Sequence, residues 1–115
     1  MHRGEVWLGN LSPNRGTEVG KVRPVLIVQA DFLVAQGDPT IIVLPLTTQV
    51  RQSKEPLHVT IVRRDRLKQT CQVMPEQPRT LDRKRLIEGP LTRLTPVEME
   101  RVERSLLAVL GMYGG

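Results

Sequence analysis

Apolar residues in this chain fall mostly in short runs with β-branched members, separated by turns rich in Gly, Pro, Asn and Ser. Residues 5–8 (EVWL) follow Gly4 and read as a short founding strand. Residues 10–16 (NLSPNRG) have the composition of a turn, which predicts a hairpin between that strand and residues 22–29. Within the second arm, residues 25–28 (VLIV) are uninterrupted and read as a strand covered on both faces. Residues 40–46 (TIIVLPL) form a second β-branched run. Pro45 predicts an edge or a bulge at its far end, leaving Thr47, Thr48 and Gln49 where the strand runs out. Residues 56–62 alternate Leu57, Val59 and Ile61 against His58, Thr60 and Val62, the pattern of a half-buried strand, and residues 71–74 are a further short one.

Helical period is clear only near the end. Thr95, Pro96 and Glu98 match a capping box with proline at the first helical position; Met99, Val102, Leu106, Val109 and Tyr113 then share one stripe, widened by Leu110. Two fainter signals are a turn of helix capped by Asp31 and ended by Gly37, and another started by Thr80 and Asp82 within residues 76–85 and closed by Gly89-Pro90. Close-set short strands, no βαβ alternation and one terminal helix predict a mainly β fold with α. The expected architecture is a small, curved antiparallel barrel or sheet with the helix laid against it. At 115 residues the expectation is a single domain, 1–115.

Charge changes the picture. The net charge of +5 is uneven: residues 1–50 carry four basic and four acidic side chains, residues 51–93 eleven basic and five acidic. Such a cluster is the footprint of a surface for a polyanion or an acidic protein, or else of a solvated basic face. One cysteine, Cys71, excludes an internal disulfide and reads as a core thiol. With no cysteine partner or histidine cluster there is no zinc pattern, and a reducing, cytoplasmic setting is expected. No signal peptide or run of spanning length is read, so no membrane role is expected.

Arg23 is the candidate that stands out. Proline follows it, which biases its backbone to extended geometry, and the buried run begins at once. A cation on so rigid a support meets an anion at low entropic cost; taken alone, an arginine before a buried strand is more often a snorkelling or salt-bridged surface residue. His2 and His58 are expected on the surface, which argues against a two-histidine ribonuclease. Trp7, Phe32 and Tyr113 are too scattered for a base-stacking platform.

Taken in order, RGEVW, LSPNRGTEVGKVRPVLIVQ, LPLTTQV and EQPRTLDRKRL closely resemble the MazF/PemK toxins of bacterial toxin-antitoxin systems, nearly end to end. The resemblance implies an SH3-like small barrel, shared with the CcdB-like toxins, and a homodimer. It also implies cofactor-free and metal-independent cleavage of single-stranded RNA at short motifs, and an acidic, MazE-like antitoxin over the RNA site. By position it makes Arg23 the catalytic arginine and Thr47 the catalytic threonine. Glu18 is the glutamate of the GTE stretch. Some relatives have an aspartate where residues 77–80 here read Gln-Pro-Arg-Thr, so general acid and base are not assigned by resemblance alone.

Chemically, RNA brings its own nucleophile, the 2′-hydroxyl. Arg23 would stabilise charge on the phosphoryl oxygens, Thr47 would donate its hydroxyl, and Glu18 is the candidate proton acceptor. Expected RNA contacts are Arg15, Lys21, Thr48, Gln49, Arg51, Lys54, Gln77 and Arg79. Two other function classes remain: a gyrase-binding toxin of the same fold acting through its terminal helix, and a non-catalytic nucleic-acid-binding barrel.

Overall fold

The computed structural model describes residues 1–12, 16 and 21–112. Strands β1 (Glu5–Asn10) and β2 (Val22–Ile27) pair antiparallel, with Val6 opposite Leu26 and Asn10 opposite Val22. A short helix, α1 (Asp31–Ala35), leads into β3 (Thr40–Thr47), which lies against β2 with Val25 opposite Pro45. Then come β4 (Val59–Ile61), β5 (Cys71–Val73), β6 (Arg79–Asp82), β7 (Leu86–Arg93) and the terminal helix α2 (Pro96–Val109). The sheet runs β4-β5-β3-β2-β1-β7, with β6 also on β3. The predicted antiparallel barrel with its helix is thus a curled, partly open sheet.

Strand β3 sits at the centre because its outer edge is shared: its first half pairs with β6 and its second with β5. Pro45, expected to mark an edge, is buried in this interior strand. Its missing N–H falls where the neighbour changes, between Val43 opposite Arg79 and Leu46 opposite Val73, and its carbonyl accepts from the Met74 N–H at 3.0 Å. A proline costs a sheet nothing where no ladder bond would have formed.

Alternation along β2 and β3 feeds two cores. Leu26, Leu44 and Leu46 join Val59, Ile61, Val73, Met99 and Val102 on one face, while Val25, Ile27, Ile41 and Val43 join Leu11, Leu81 and Leu86 on the other. Both faces of β2 are covered, as its unbroken apolar run predicts.

Three local expectations change. Asp31 is the first residue of α1, not its cap, and its carboxylate accepts from the Arg3 N–H at 2.7 Å. Of the helical turn expected within residues 76–85, residues 79–82 instead form β6, and the Gly89-Pro90 dipeptide lies inside β7. Gly89 is required there, because a Cβ would stand 2.4 Å from the Trp7 indole packed over it. The stripe of α2 buries Met99 and Val102, then Ser105, whose hydroxyl donates to the Pro56 carbonyl at 3.1 Å. Val109 and Leu110 are exposed, Leu106 is half-buried, and Tyr113 lies outside the described residues.

The capping box is present: the Thr95 hydroxyl accepts from the Glu98 N–H, and Glu98 accepts from the Thr95 N–H at 2.8 Å. Glu98 also takes a two-pronged bond from Arg64, at 2.6 and 2.8 Å, which ties the helix start to the turn after β4. The Arg64 bonds hold the Glu98 carboxyl below its usual range, against the opposing effect of burial. A carboxyl lowered on folding stabilises above its unfolded pKa of about 4.3 and ceases to as pH falls through its folded value. Melting curves from pH 7 to 3 should show Glu98→Gln less stable than the parent at neutral pH, with the gap closing in acid; a gap constant with pH would disprove this linkage.

Candidate functional site

Strand pairing builds the site. Gly9 of β1 stands opposite Arg23 of β2, Thr47 of β3 opposite Gln72 of β5, and Gln72 opposite Thr60 of β4. The β2–β3 ladder ends at Val25 opposite Pro45; continued by two residues on each strand, the same register would bring Arg23 and Thr47 to the face that Val25 and Pro45 share. Directly opposed residues of antiparallel strands project from the same face. Gly9 and Arg23 are thus one opposed pair and Thr47, Gln72 and Thr60 an opposed series, which the continued register joins into one row; over Gly9 itself lie Val25 and Leu86, 3.2 and 3.5 Å from where a Cβ would stand. On the adjacent row, Leu46, Val73 and Val59 go into the core.

Arg23 is half-buried, and burial lowers its pKa. A guanidinium remains protonated at neutral pH despite such a shift, and one only partly hydrated attracts an anion more strongly. Thr47 is half-buried too, and its hydroxyl oxygen accepts the Gln49 N–H at 3.1 Å. That bond occupies a lone pair and fixes the rotamer, leaving the O–H hydrogen for donation.

Gln72 is the residue that sequence reasoning passed over. It is completely buried, accepts the Arg51 N–H at 3.1 Å, and donates to the Arg51 carbonyl and the Thr60 hydroxyl, each at 3.1 Å. Its amide holds the loop that leaves Thr47. The available signal was a lone amide in the middle of the Cys71–Val73 strand, between two apolar neighbours.

Of the expected RNA contacts, Lys21, Thr48, Gln49, Arg51 and Lys54 are exposed on segments next to the row, and Gln77 is half-buried in the turn before β6. Arg79 projects from the sheet face of its partner Val43, but its guanidinium donates to the Leu11 carbonyl at 3.2 Å. Arg15 and Glu18 lie outside the described residues. The basic stretch 51–93 is not one continuous free surface. Arg64 is engaged by Glu98, Arg66 by Glu88, Arg93 by Glu5, and Arg83 by the carbonyls of Val34 and Asp38.

His58, expected on the surface, is buried, with Nε2 2.7 Å from Glu76 Oε2. The segment before β4 turns inward, which places this imidazole under the loop after β5. His2 is exposed near Asp31, so each histidine is engaged with a different acid. Cys71 is buried as expected, which pushes its thiol pKa up. No helix among the described residues is long and apolar enough to cross a membrane. A cleft of about 620 Å³ between residues 55–60 and α2 contains neither Arg23 nor Thr47.

A curled antiparallel sheet with an arginine at the start of β2 and a threonine at the end of β3 defines a small β-fold protein of the half-barrel kind. Comparison with known proteins narrows this. The profile of the PemK-like, MazF-like toxins of type II toxin-antitoxin systems matches residues 2–110. An endoribonuclease MazF from Staphylococcus saprophyticus is 39% identical over 114 residues, spanning 98% of this chain and 93% of that protein. The chain therefore belongs to the PemK-like, MazF-like toxin family. Among solved structures, MazF from Deinococcus radiodurans superposes with a TM-score of 0.82 at 21% identity, covering 97% of each chain. A mycobacterial endoribonuclease in complex with its cognate antitoxin gives 0.76 at 23% identity, covering 100% of this chain and 99% of that one. Both share the fold.

Proposed function

We propose that this chain is an endoribonuclease toxin that cuts single-stranded RNA at short motifs and is neutralised by an acidic antitoxin. What supports this reading is the β2–β3 register, which when continued from Val25 and Pro45 brings Arg23 and Thr47 to one sheet face, within a family whose member in Staphylococcus saprophyticus is named an endoribonuclease. The substrate's 2′-oxygen attacks phosphorus, its proton passes to a base for which Glu18 is the candidate, and the bond from phosphorus to the 5′-oxygen breaks. The leaving oxygen takes up a proton, giving a cyclic phosphate and a 5′-hydroxyl. Arg23 neutralises charge building on the phosphoryl oxygens, and Thr47 donates to one of them. The exposed Lys21, Thr48, Gln49, Arg51 and Lys54 lead the strand towards that point, with Gln77 beside them. The protein acts in the cytoplasm as a single-domain protomer of a homodimer.

Incubating purified protein with a long single-stranded RNA in EDTA, then sequencing the 5′ ends of the products, tests this. Discrete cuts bearing 5′-hydroxyls at a recurring motif are expected. RNA that is bound but intact would favour a binding module, and RNA neither bound nor cut would favour a protein-directed toxin.

A further inference from the structure

We infer that Arg85, together with Arg79, is a positioning residue for RNA cleavage, acting through the protein backbone and not through the RNA. Three successive carbonyls at the end of β1 receive these two side chains. Arg85 donates to Asn10 O at 3.2 Å and, through the same nitrogen, to Ser12 O, while Arg79 donates to Leu11 O between them. The gripped segment is also closed on itself. The Leu11 N–H donates to Lys21 O at 2.8 Å, and the Lys21 N–H to the Ser12 hydroxyl at 3.1 Å. This is a neck: the chain leaves it at Ser12, returns at Lys21, and two residues later reaches Arg23.

The other end of the clamp is anchored on the strand that supplies Thr47. Arg79 belongs to β6, and Arg85 ends the single 3₁₀ turn that follows it. Strand β6 is paired to β3 from Thr40 opposite Asp82 to Val43 opposite Arg79. Hydrogen bonds thus run from the β1–β2 neck through two guanidinium groups into β6, and through β6 into β3. The neck fixes where β2 begins, and β3 fixes Thr47. The clamp therefore sets the separation of the two groups to which the proposed function assigns phosphate contact, and it rests on that assignment. Carbonyls just beyond a strand end have no ladder partner, and a buried one requires another donor; Leu11 is completely buried. Two arginines from a stretch that looks made for phosphates supply those donors.

The rival role is direct phosphate contact, and lysine separates the two. Lysine keeps the charge but ends in a tetrahedral ammonium on a shorter side chain, which does not reach the position of the one guanidinium nitrogen that serves both carbonyls. Arg85→Lys and Arg85→Gln are compared with the parent in single-turnover cleavage of a defined single-stranded transcript. Binding of that transcript at several salt concentrations is measured with each change placed on Arg23→Ala, which should not cut. Amide exchange at Leu11 and Lys21 is followed without RNA. The clamp predicts that both variants lose about ten- to hundredfold in cleavage rate, the scale of a misplacement near 1 Å, with binding and its salt slope unchanged. It also predicts faster exchange at the two neck amides.

If Arg85→Lys cuts like the parent, or Arg85→Gln lowers the salt slope by about one counterion, Arg85 is a phosphate ligand and the inference is overturned. Unchanged exchange at Leu11 and Lys21 would also overturn it. Cleavage surviving in Arg23→Ala alone would instead sink the assignment of the site, and is recognisable because it involves no change at Arg85.

Discussion

Replacing Arg23 with alanine is expected to cut the rate of RNA cleavage by about 10²–10³, the usual consequence of losing one preorganised donor to a developing anion. The reason is position more than charge, since other cations are nearby. Arg23 stands at the mouth of a strand held on both sides, by β1 through Gly9 and by β3 beyond Val25, and it is partly stripped of water. An arginine on a loop would be screened and mobile; this one is oriented before the substrate arrives. Arg23→Lys should fall nearly as far, because an ammonium cannot reproduce the fork presented to two phosphoryl oxygens. The side chain belongs to neither core, so the melting temperature should move by only a few degrees. Single-turnover cleavage beside a thermal melt decides the matter. A variant that melts like the parent and still cuts at its rate would remove Arg23 from the chemistry.

Gln72→Leu is expected to do damage of a different kind. The two side chains are similar in volume, but leucine takes away the acceptor of the Arg51 N–H and the donor to the Thr60 hydroxyl, while the Arg51 carbonyl keeps the Lys54 N–H at 3.0 Å. At about 1–3 kcal/mol for one donor left unpaired, the loss should be on the order of 1–3 kcal/mol. That is a large part of the stability of a small domain. Because the same amide anchors the loop leaving Thr47, cleavage should drop even at temperatures where the variant stays folded. Urea titration gives the first quantity and cleavage at 20 °C below the variant's midpoint the second. A denaturation midpoint within error of the parent would show that the Arg51 N–H finds another partner.

Both predictions concern residues that the sequence displays in unequal degree. Arg23 is legible because proline and an unbroken apolar run follow it, so local chemistry alone makes it a fixed cation. The capping box of α2 is legible for the same reason, since all its partners lie within four residues. Gln72 is not: in a three-residue strand its polarity looks like a solvent-facing position, and only the loop folded back from Thr47 gives its amide something buried to hold. Of the helical turn that Thr80 and Asp82 predict within residues 76–85, the part started by Asp82 forms, as the 3₁₀ turn Arg83–Arg85, while Thr80 lies in β6. Pairing with β3 draws Thr80 into the sheet, and Asp82 caps the turn that follows, accepting from the Lys84 N–H at 2.8 Å. His58 went the same way, for alternation along a strand says nothing where the chain turns inward before the strand begins. The apolar stripe predicted for α2 packs on the core as far as Leu106, and Val109 and Leu110 beyond it are exposed.

By itself, then, the order of residues determined the class of fold, the terminal helix, the family resemblance and the rigid arginine. Each of these depends on neighbours in the chain, or on patterns repeated along it. Tertiary structure alone decided the β2–β3 register that directs Arg23 and Thr47 towards one face, the hold of Gln72 on the loop after Thr47, and the grip of arginines from the basic stretch on carbonyls at the neck of the β1–β2 connection. Those outcomes turn on the pairing of distant strands and on which backbone groups are left without partners once the sheet has curled.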